Sequence, residues 1–399
     1  MIPSFILVIW LSGLIALAGI GGAAYLFHDW YQRSWGWDAA AGVSVFAPSL
    51  GWDALTAVLA AAVLLLLFTF AGRPIILSLL RIGRTGSNDM DSDPRPSPVP
   101  ESVHGIDRPD GSRLHVECYG EPAGIPLIAT HGWGLTAAEW NYLKRDVPPG
   151  YRLIVWDLPG LGSSTAPSDR DFSLLKLAGH LGAVVEFAAK PAVLVGHSIG
   201  GMIVLTYMAL FPHASGSSVR ALMLVHTTPT DPVKTTSGSA ILLPLEVPLL
   251  KPLMYLTIAL SPLIRLMNWL SYANGTTHLI NKFSSFAGEE TWQQVDFAAR
   301  FSPRASPAVL ARGMLAMMRY DAFAALPLIK VPTLVVAGDR DSTTKPSASR
   351  TLHEGIAGAR LIELSPAKHL GLIEHHVIFR QALASICQLP RKAPLPALR

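Results

Sequence analysis

The sequence predicts an α/β fold: a mostly parallel sheet with helices on both faces, an inserted helical cap, and two transmembrane helices in front. Three observations predict it. An apolar segment, residues 192–196, runs into Gly196-His-Ser-Ile-Gly200 and then into an apolar helical run, 202–210. Two later apolar segments, 331–338 and 359–364, read as buried strands and end beside chemically able residues, Asp339 and Asp341 after the first and His369 after the second. Two N-terminal runs without charge, residues 2–27 and 54–72, are long enough to cross a hydrocarbon core of ~30 Å.

The N-terminal runs account for an unusual composition. The 399 residues are 50% hydrophobic and only 15% charged, where about 25% charged is ordinary for a soluble domain. A cleaved signal peptide is the alternative for the first run. It lacks a positive n-region and exceeds a usual h-region in length. Trp30, Trp35, Trp37 and Trp52, with Tyr25 and Tyr31, crowd the intervening loop as an aromatic belt does at a membrane boundary. The loop carries only Arg33, whereas Arg73, Arg81 and Arg84 follow the second run. That bias predicts a multi-pass membrane protein with its N-terminus and the following domain on the cytoplasmic side.

Residues 1–84 thus read as a membrane anchor. Residues 85–102 are polar and proline-rich and read as an extended linker; residues 390–399 read as a flexible tail. Asp110-Gly111 joins two short strands, 103–107 and 113–119, as a hairpin. Strands follow at 126–130, 151–156 and 220–226. Residues 103–226 and 327–389 form the core, interrupted by a cap over 227–326. Within the cap, residues 241–270 are strongly apolar, but the uncharged stretch 252–264 is interrupted by Pro262 and is too short to span. It reads as the underside of a pocket, as a segment dipping into the bilayer, or as both. Residues 289–300 and 308–320 read as two further cap helices.

The Gly-x-Ser-x-Gly segment carries the chemistry. A serine on a sharp strand-to-helix turn has its hydroxyl exposed, and small residues two before and two after let the backbone pack that tightly. The following helix directs free N–H groups at the nucleophile. A serine hydroxyl needs a base, and the base an orienting acid. Ser198, Asp341 and His369 occur in the order such an elbow fold uses, with Asp339 an open alternative to Asp341.

These residues, together with His131-Gly-Trp-Gly134, Asp157-Leu-Pro-Gly-Leu-Gly162, Gly338-Asp-Arg-Asp341 and Lys368-His369, resemble the α/β-hydrolase superfamily over roughly residues 101–389. The resemblance implies the α/β-hydrolase fold with an eight-stranded type of sheet. It also implies a serine esterase or lipase-like activity, with Asp341 as the acid. It places an oxyanion hole at the backbone N–H groups of Trp133 and Ile199, the Trp133 side chain being free to line an acyl pocket as well.

Other tempting residues are discounted. His131 and His197 read as structural hydrogen-bonders, and His375 and His376 as a surface or partner-facing pair. The loop at Gly160-Leu-Gly162 lacks a dinucleotide fingerprint and reads as a wall of the site. The histidine spacing suggests no metal, and the expected chemistry needs no cofactor. Cys118 and Cys387 give no disulfide framework. The net charge of +4 suits anionic lipid, without the basic-aromatic pattern of nucleic-acid binding. The expected function is hydrolysis of an ester or thioester with an apolar acyl group, on a lipid-like substrate at a bilayer. An acyltransferase, a carbon–carbon bond hydrolase or haloperoxidase on the same triad, and a non-catalytic membrane scaffold are the alternatives.

Overall fold

A computed structural model describes residues 5–48, 53–82, 93–94 and 97–387. Residues 2–4 of the first predicted span, Trp52, Arg84, most of the predicted linker and the predicted tail lie outside the described residues.

The first element among the described residues is α1 (Phe5–Arg33), followed by a two-stranded antiparallel hairpin, β1 (Trp35–Asp38) and β2 (Val43–Phe46). Among the described residues of the expected aromatic loop, Trp30 and Tyr31 thus lie on α1, and Trp35 and Trp37 on β1. Phe46 packs against Trp30, Tyr31 and Trp35 at ring separations of 5.3–6.0 Å. Then come α2 (Ala54–Ala71) and α3 (Arg73–Ile82). Asp53 caps α2, its carboxylate accepting the Thr56 N–H at 2.8 Å. Both α1 and α2 are long and apolar enough to cross a membrane.

The remaining strands are β3 (Ser102–Asp107), β4 (Arg113–Gly120), β5 (Ile125–Thr130), β6 (Tyr151–Trp156), β7 (Ala192–His197), β8 (Val219–Val225), β9 (Thr333–Gly338) and β10 (Arg360–Leu364). They form one eight-stranded sheet in the order β10-β9-β8-β7-β5-β6-β4-β3. The five pairings from β10 to β6 are parallel; β6–β4 and β4–β3 are antiparallel. Central strands buried on both faces favour apolar side chains on both, and β7 and β9, mostly Val, Leu and Ala, are buried throughout. Val193 and Val195 of β7 join the core on one face with Trp140, Phe379 and Leu383. Leu194 joins the other, with Leu177, Ile203 and Leu310. Because β7, β8, β9 and β10 are parallel, the loops that follow them gather along one edge.

Between β8 and β9 lies a helical insertion. Its first part differs from expectation. Ser239–Ala259 is one 21-residue helical run, carried through Pro248 by a wide π turn over Glu246–Leu250. Glu246 and Lys251 pair at 2.8 Å, which offsets the cost of two charges in an apolar helix. By length and composition this is a third helix able to cross a membrane, not the short segment the charge pattern suggested. The run does stop at Pro262, as expected: it ends at Ala259, and Pro262 sits in the first turn of the next helix, Ser261–Ala273, where its missing N–H costs nothing. Arg73, at the start of α3, reaches the 1%-exposed carboxylate of Asp296 and lies over the Tyr272 ring, joining the N-terminal helices to the insertion.

After β10 come two helices, Gly371–Glu374 and His376–Cys387. His375 and His376 are buried rather than on the surface. His375 Nε2 donates to the Pro366 carbonyl at 2.7 Å, and His376 stacks on Tyr142 at 3.9 Å.

Candidate active site

Ser198 sits between β7 and the helix Ile199–Leu210 with φ +55° and ψ −119°, a conformation an L-residue adopts only under strain. Several contacts hold it there. Its N–H donates to the Val225 carbonyl at 2.9 Å, and its own carbonyl accepts the Thr227 hydroxyl at 2.6 Å. A Cβ at Gly196 would lie 2.5 Å from the Gly200 backbone, and one at Gly200 would lie 2.2 Å from the Thr130 carbonyl. The two small residues of the pentapeptide are thus required by backbone approach.

The structure brings the three widely separated side chains into line. His369 Nε2 lies 3.0 Å from Ser198 Oγ, and His369 Nδ1 lies 2.9 Å from Asp341 Oδ2. All three residues are at most 7% exposed. Asp341 Oδ1 accepts the N–H groups of Thr343 and Thr344 at 2.7 and 3.1 Å, and Oδ2 accepts the Thr344 hydroxyl at 2.9 Å. Burial alone would raise the Asp341 carboxyl. The His369 and His226 imidazoles and these donors outweigh it and hold the group ionised, well below the usual range. An ionised carboxylate only accepts, so the His369 proton resides on Nδ1 and Nε2 faces Ser198 bare. Burial pushes His369 down to about 4 against the opposing pull of Asp341. A neutral imidazole aimed at a serine hydroxyl has the tautomer that general-base chemistry requires.

Asp339 is placed elsewhere. Its carboxylate accepts the Ala367 N–H and the Ser365 hydroxyl, both at 2.8 Å, and so braces the loop before His369.

Gly132, Trp133, Gly134 and Leu135 lie beside Ser198 and His369 around a cavity of about 290 Å³. The Trp133 side chain is turned into the insertion. Its Nε1 donates to the Leu310 carbonyl at 3.0 Å, and its ring lies on Gly313, where a Cβ would fall 2.0 Å from Cζ2. Ile199 is the first residue of its helix and fully buried. His131 bridges the Leu158 N–H and the Gly132 carbonyl. The loop at Gly160-Leu-Gly162 is not the wall of the site its sequence suggests: none of its residues lines this cavity. Asp157 instead turns that loop onto the Ala137 and Ser163 N–H groups at 2.7 and 2.8 Å.

Three buried groups escape a sequence reading. Glu139, 2% exposed, accepts the Gly132 N–H at 2.9 Å and pairs with His197 Nδ1, while His197 Nε2 donates to the His369 carbonyl at 3.0 Å. One carboxylate–imidazole pair therefore links the Gly132 loop, the turn at Ser198 and the His369 backbone. Burial would raise Glu139; the His197 imidazole and the Gly132 N–H hold it down. His226, at the end of β8, brings a second imidazole to within 3.5 Å of Asp341, and Thr344 supplies its hydroxyl. Nothing in the local sequence pattern around these residues marks them.

Comparison with known proteins agrees with this architecture. Over 97 residues the chain is 39% identical to a pimeloyl-[acyl-carrier protein] methyl ester esterase of Vibrio vulnificus, covering 24% of this chain and 35% of that protein. Over 140 residues it is 34% identical to a non-heme chloroperoxidase of Streptomyces lividans, covering 35% and 49%. The chain thus spans between about a third and a half of the length of these curated relatives. Among solved structures, an esterase of Exiguobacterium antarcticum superposes with a TM-score of 0.58 at 24% identity, over 72% of this chain and all of that one. A bromoperoxidase of Bacillus anthracis superposes at 0.57 and 19% identity with the same coverage. Residues 125–376, more than half of the sequence, match the alpha/beta hydrolase fold family, and the chain belongs to that family.

Proposed function

We propose that this protein is a membrane-anchored serine hydrolase that cleaves an ester, or a thioester, with an apolar acyl group. The observation that carries the proposal is the unbroken line Ser198–His369–Asp341 on a strained turn at the wall of a cavity. His369 Nε2 takes the Ser198 proton as Oγ attacks the substrate carbonyl. Asp341 fixes the tautomer and balances the imidazolium. The N–H groups of Trp133 and Ile199 receive the oxyanion, each such donor being worth about 3–4 kcal/mol in related chemistry. His369 then returns the proton to the leaving alcohol, and water activated by the same nitrogen releases the acid. Asp341 is the acid in this scheme and Asp339 a loop brace.

The anchor consists of α1 and α2, with the catalytic domain on the cytoplasmic side, as Arg73 and Arg81 after α2 support. The insertion acts as a cap. Ile241, Val247, Tyr255 and Trp269 are 47–70% exposed, which supports contact with lipid.

The test is labelling of the full chain by a fluorophosphonate. Wild type reacts and Ser198→Ala does not; a silent wild type, or equal labelling of both, removes the proposal. The similarity to a non-heme chloroperoxidase supports a second reading, haloperoxidase-type activity on the same three side chains. Peroxide-dependent halogenation that Ser198→Ala abolishes is its signature.

A further inference from the structure

Helix α1 is longer than a membrane requires. Its 29 residues measure about 44 Å at 1.5 Å per residue, against a hydrocarbon core of ~30 Å. Its register against α2 shows which end is in surplus. A Cβ at Gly19 would lie 2.6 Å from Thr69 Oγ1, and one at Gly22 would lie 3.1 Å from Leu65 Cδ2. The two helices therefore run antiparallel, and Ala71, where α2 ends, is level with about residue 17 of α1. The first dozen or so residues of α1 project beyond that end, by about 18 Å.

This projecting segment has two unlike faces. Leu11, Leu14 and Ile15 are 52–63% exposed, while Ile6, Ile9, Ser12 and Ala16 are at most 7% exposed. The buried positions recur at three- and four-residue spacing, which is one side of a helix. That side meets the insertion. Trp10 Nε1 donates to Thr257 Oγ1 at 2.8 Å, and Met267 lies so close over Gly13 that a Cβ would meet its Cε at 2.3 Å. Val8, Ile9 and Ser12 reach through to line the same cavity as Ser198 and His369.

We propose that the first turns of α1 are the acyl-pocket wall of the active site, so that Ile9 and Ser12 select the acyl chain and the anchor helix is part of the catalytic machinery. The proposal rests on the serine-hydrolase reading above. The chemistry of the remaining lining narrows the substrate. It includes amides and hydroxyls such as Asn268, Asn281 and Ser302, and among the described residues no lysine, arginine, aspartate or glutamate. An ionised substrate group would lie there without a counter-charge, an arrangement that burial penalises heavily. The site therefore takes a neutral ester, with its acyl chain against α1 and an uncharged, hydrogen-bonding alcohol part against the amides and hydroxyls.

The experiment uses the full chain in detergent micelles and two alkyl fluorophosphonates, one with a two-carbon and one with a twelve-carbon chain. The quantity read is the ratio of their labelling rates. Ile9→Trp fills the wall and lowers the long-to-short ratio by at least about tenfold, the scale of a filled hydrophobic subsite. Leu11→Trp, on the outward face, leaves the ratio within about twofold of wild type. Where size exclusion shows that Ile9→Trp has not folded, Ile9→Ala carries the test by enlarging the same wall and raising the ratio. A folded Ile9 variant with the wild-type ratio overturns the proposal and leaves the serine-hydrolase reading intact. A wild type that neither probe labels removes both.

Discussion

Replacing Gly313 with alanine puts a methyl group where the Trp133 indole already sits. The added Cβ would lie 2.0 Å from Cζ2, 2.4 Å from Cε2 and 2.7 Å from Cη2. Carbon atoms in contact need about 3.5–4.0 Å, so the ring or the helix Pro307–Met317 must retreat by about 1.5 Å. Two effects oppose each other in stability. Alanine in a helix interior gains about 1 kcal/mol over glycine, while overpacking costs about 1–3 kcal/mol. The net expectation is a loss of up to about 2 kcal/mol, small enough for the protein to fold. The larger effect is on the reaction. The displaced ring carries with it the backbone N–H of Trp133, one of the two proposed oxyanion donors. Misplacing a catalytic group by about 1 Å can cost about 10²-fold, and removing one oxyanion donor costs about 10²–10³-fold in kcat. Gly313→Ala therefore lowers kcat by about 10–100-fold with little change in KM. Steady-state hydrolysis of a p-nitrophenyl ester reads both constants, and a thermal melt reads the stability. A variant that melts higher than wild type, by the helix-propensity gain alone, and keeps kcat within twofold would refute the coupling of insertion to oxyanion loop.

Two further outcomes follow from the line of three residues. Asp341→Asn leaves the His369 tautomer without its acceptor and lowers kcat on the order of 10³–10⁴-fold, whereas Asp339→Asn, which only loosens the loop before His369, changes it by no more than about tenfold; equal losses in the two would contradict the assignment. The pH profile of kcat/KM tests the state of His369. The imidazole must be neutral to accept the Ser198 proton, and burial lowers its proton affinity from the ordinary value near 6.5 to about 4. Activity is therefore present above that midpoint and is lost as pH falls through it; a rising limb centred at or above the ordinary histidine value would show that the site does not desolvate the base as described.

How much of the site could be read beforehand depends on how local its causes are. Gly196, Ser198 and Gly200 are bound by one tight turn, so spacing alone announced their geometry, and Ser198 takes up its positive φ for the reason the motif implies. Asp341 and His369 were legible because each follows a strand of a parallel sheet, and parallel strands deliver their following loops to one edge. What separates Asp341 from Asp339 is less than one turn of loop. Gly338 ends β9, Asp339 turns back toward Ala367, and only two residues later does a carboxylate face His369. That choice is made by tertiary hydrogen bonds, not by composition. Glu139 was hidden for a stronger reason. A glutamate in a short helical segment reads as solvated surface, and only the neighbouring His197 and the Gly132 N–H make burial of its charge tolerable. The pair at His375 and His376 shows the same limit. Their burial is decided by a carbonyl nine residues back and a tyrosine more than two hundred residues away.

The N-terminal helix shows where composition misleads in the opposite direction. Ile6, Ile9 and Ala16 are buried against protein, and Leu11, Leu14 and Ile15 face outward, yet all six are apolar because lipid and a protein core select the same side chains. Hydropathy therefore merges two roles into one uninterrupted run and assigns the whole of it to the bilayer. Length is the physical clue that separates them. At 18 residues α2 is about 27 Å long and matches a hydrocarbon core by itself, whereas α1, paired with it in antiparallel register, has turns left over at the end that meets the catalytic domain. A partner helix of known length thus measures how much of an apolar run a membrane can occupy. The remainder must bury its apolar side in protein, and here the protein that receives it is the wall of the cavity holding Ser198.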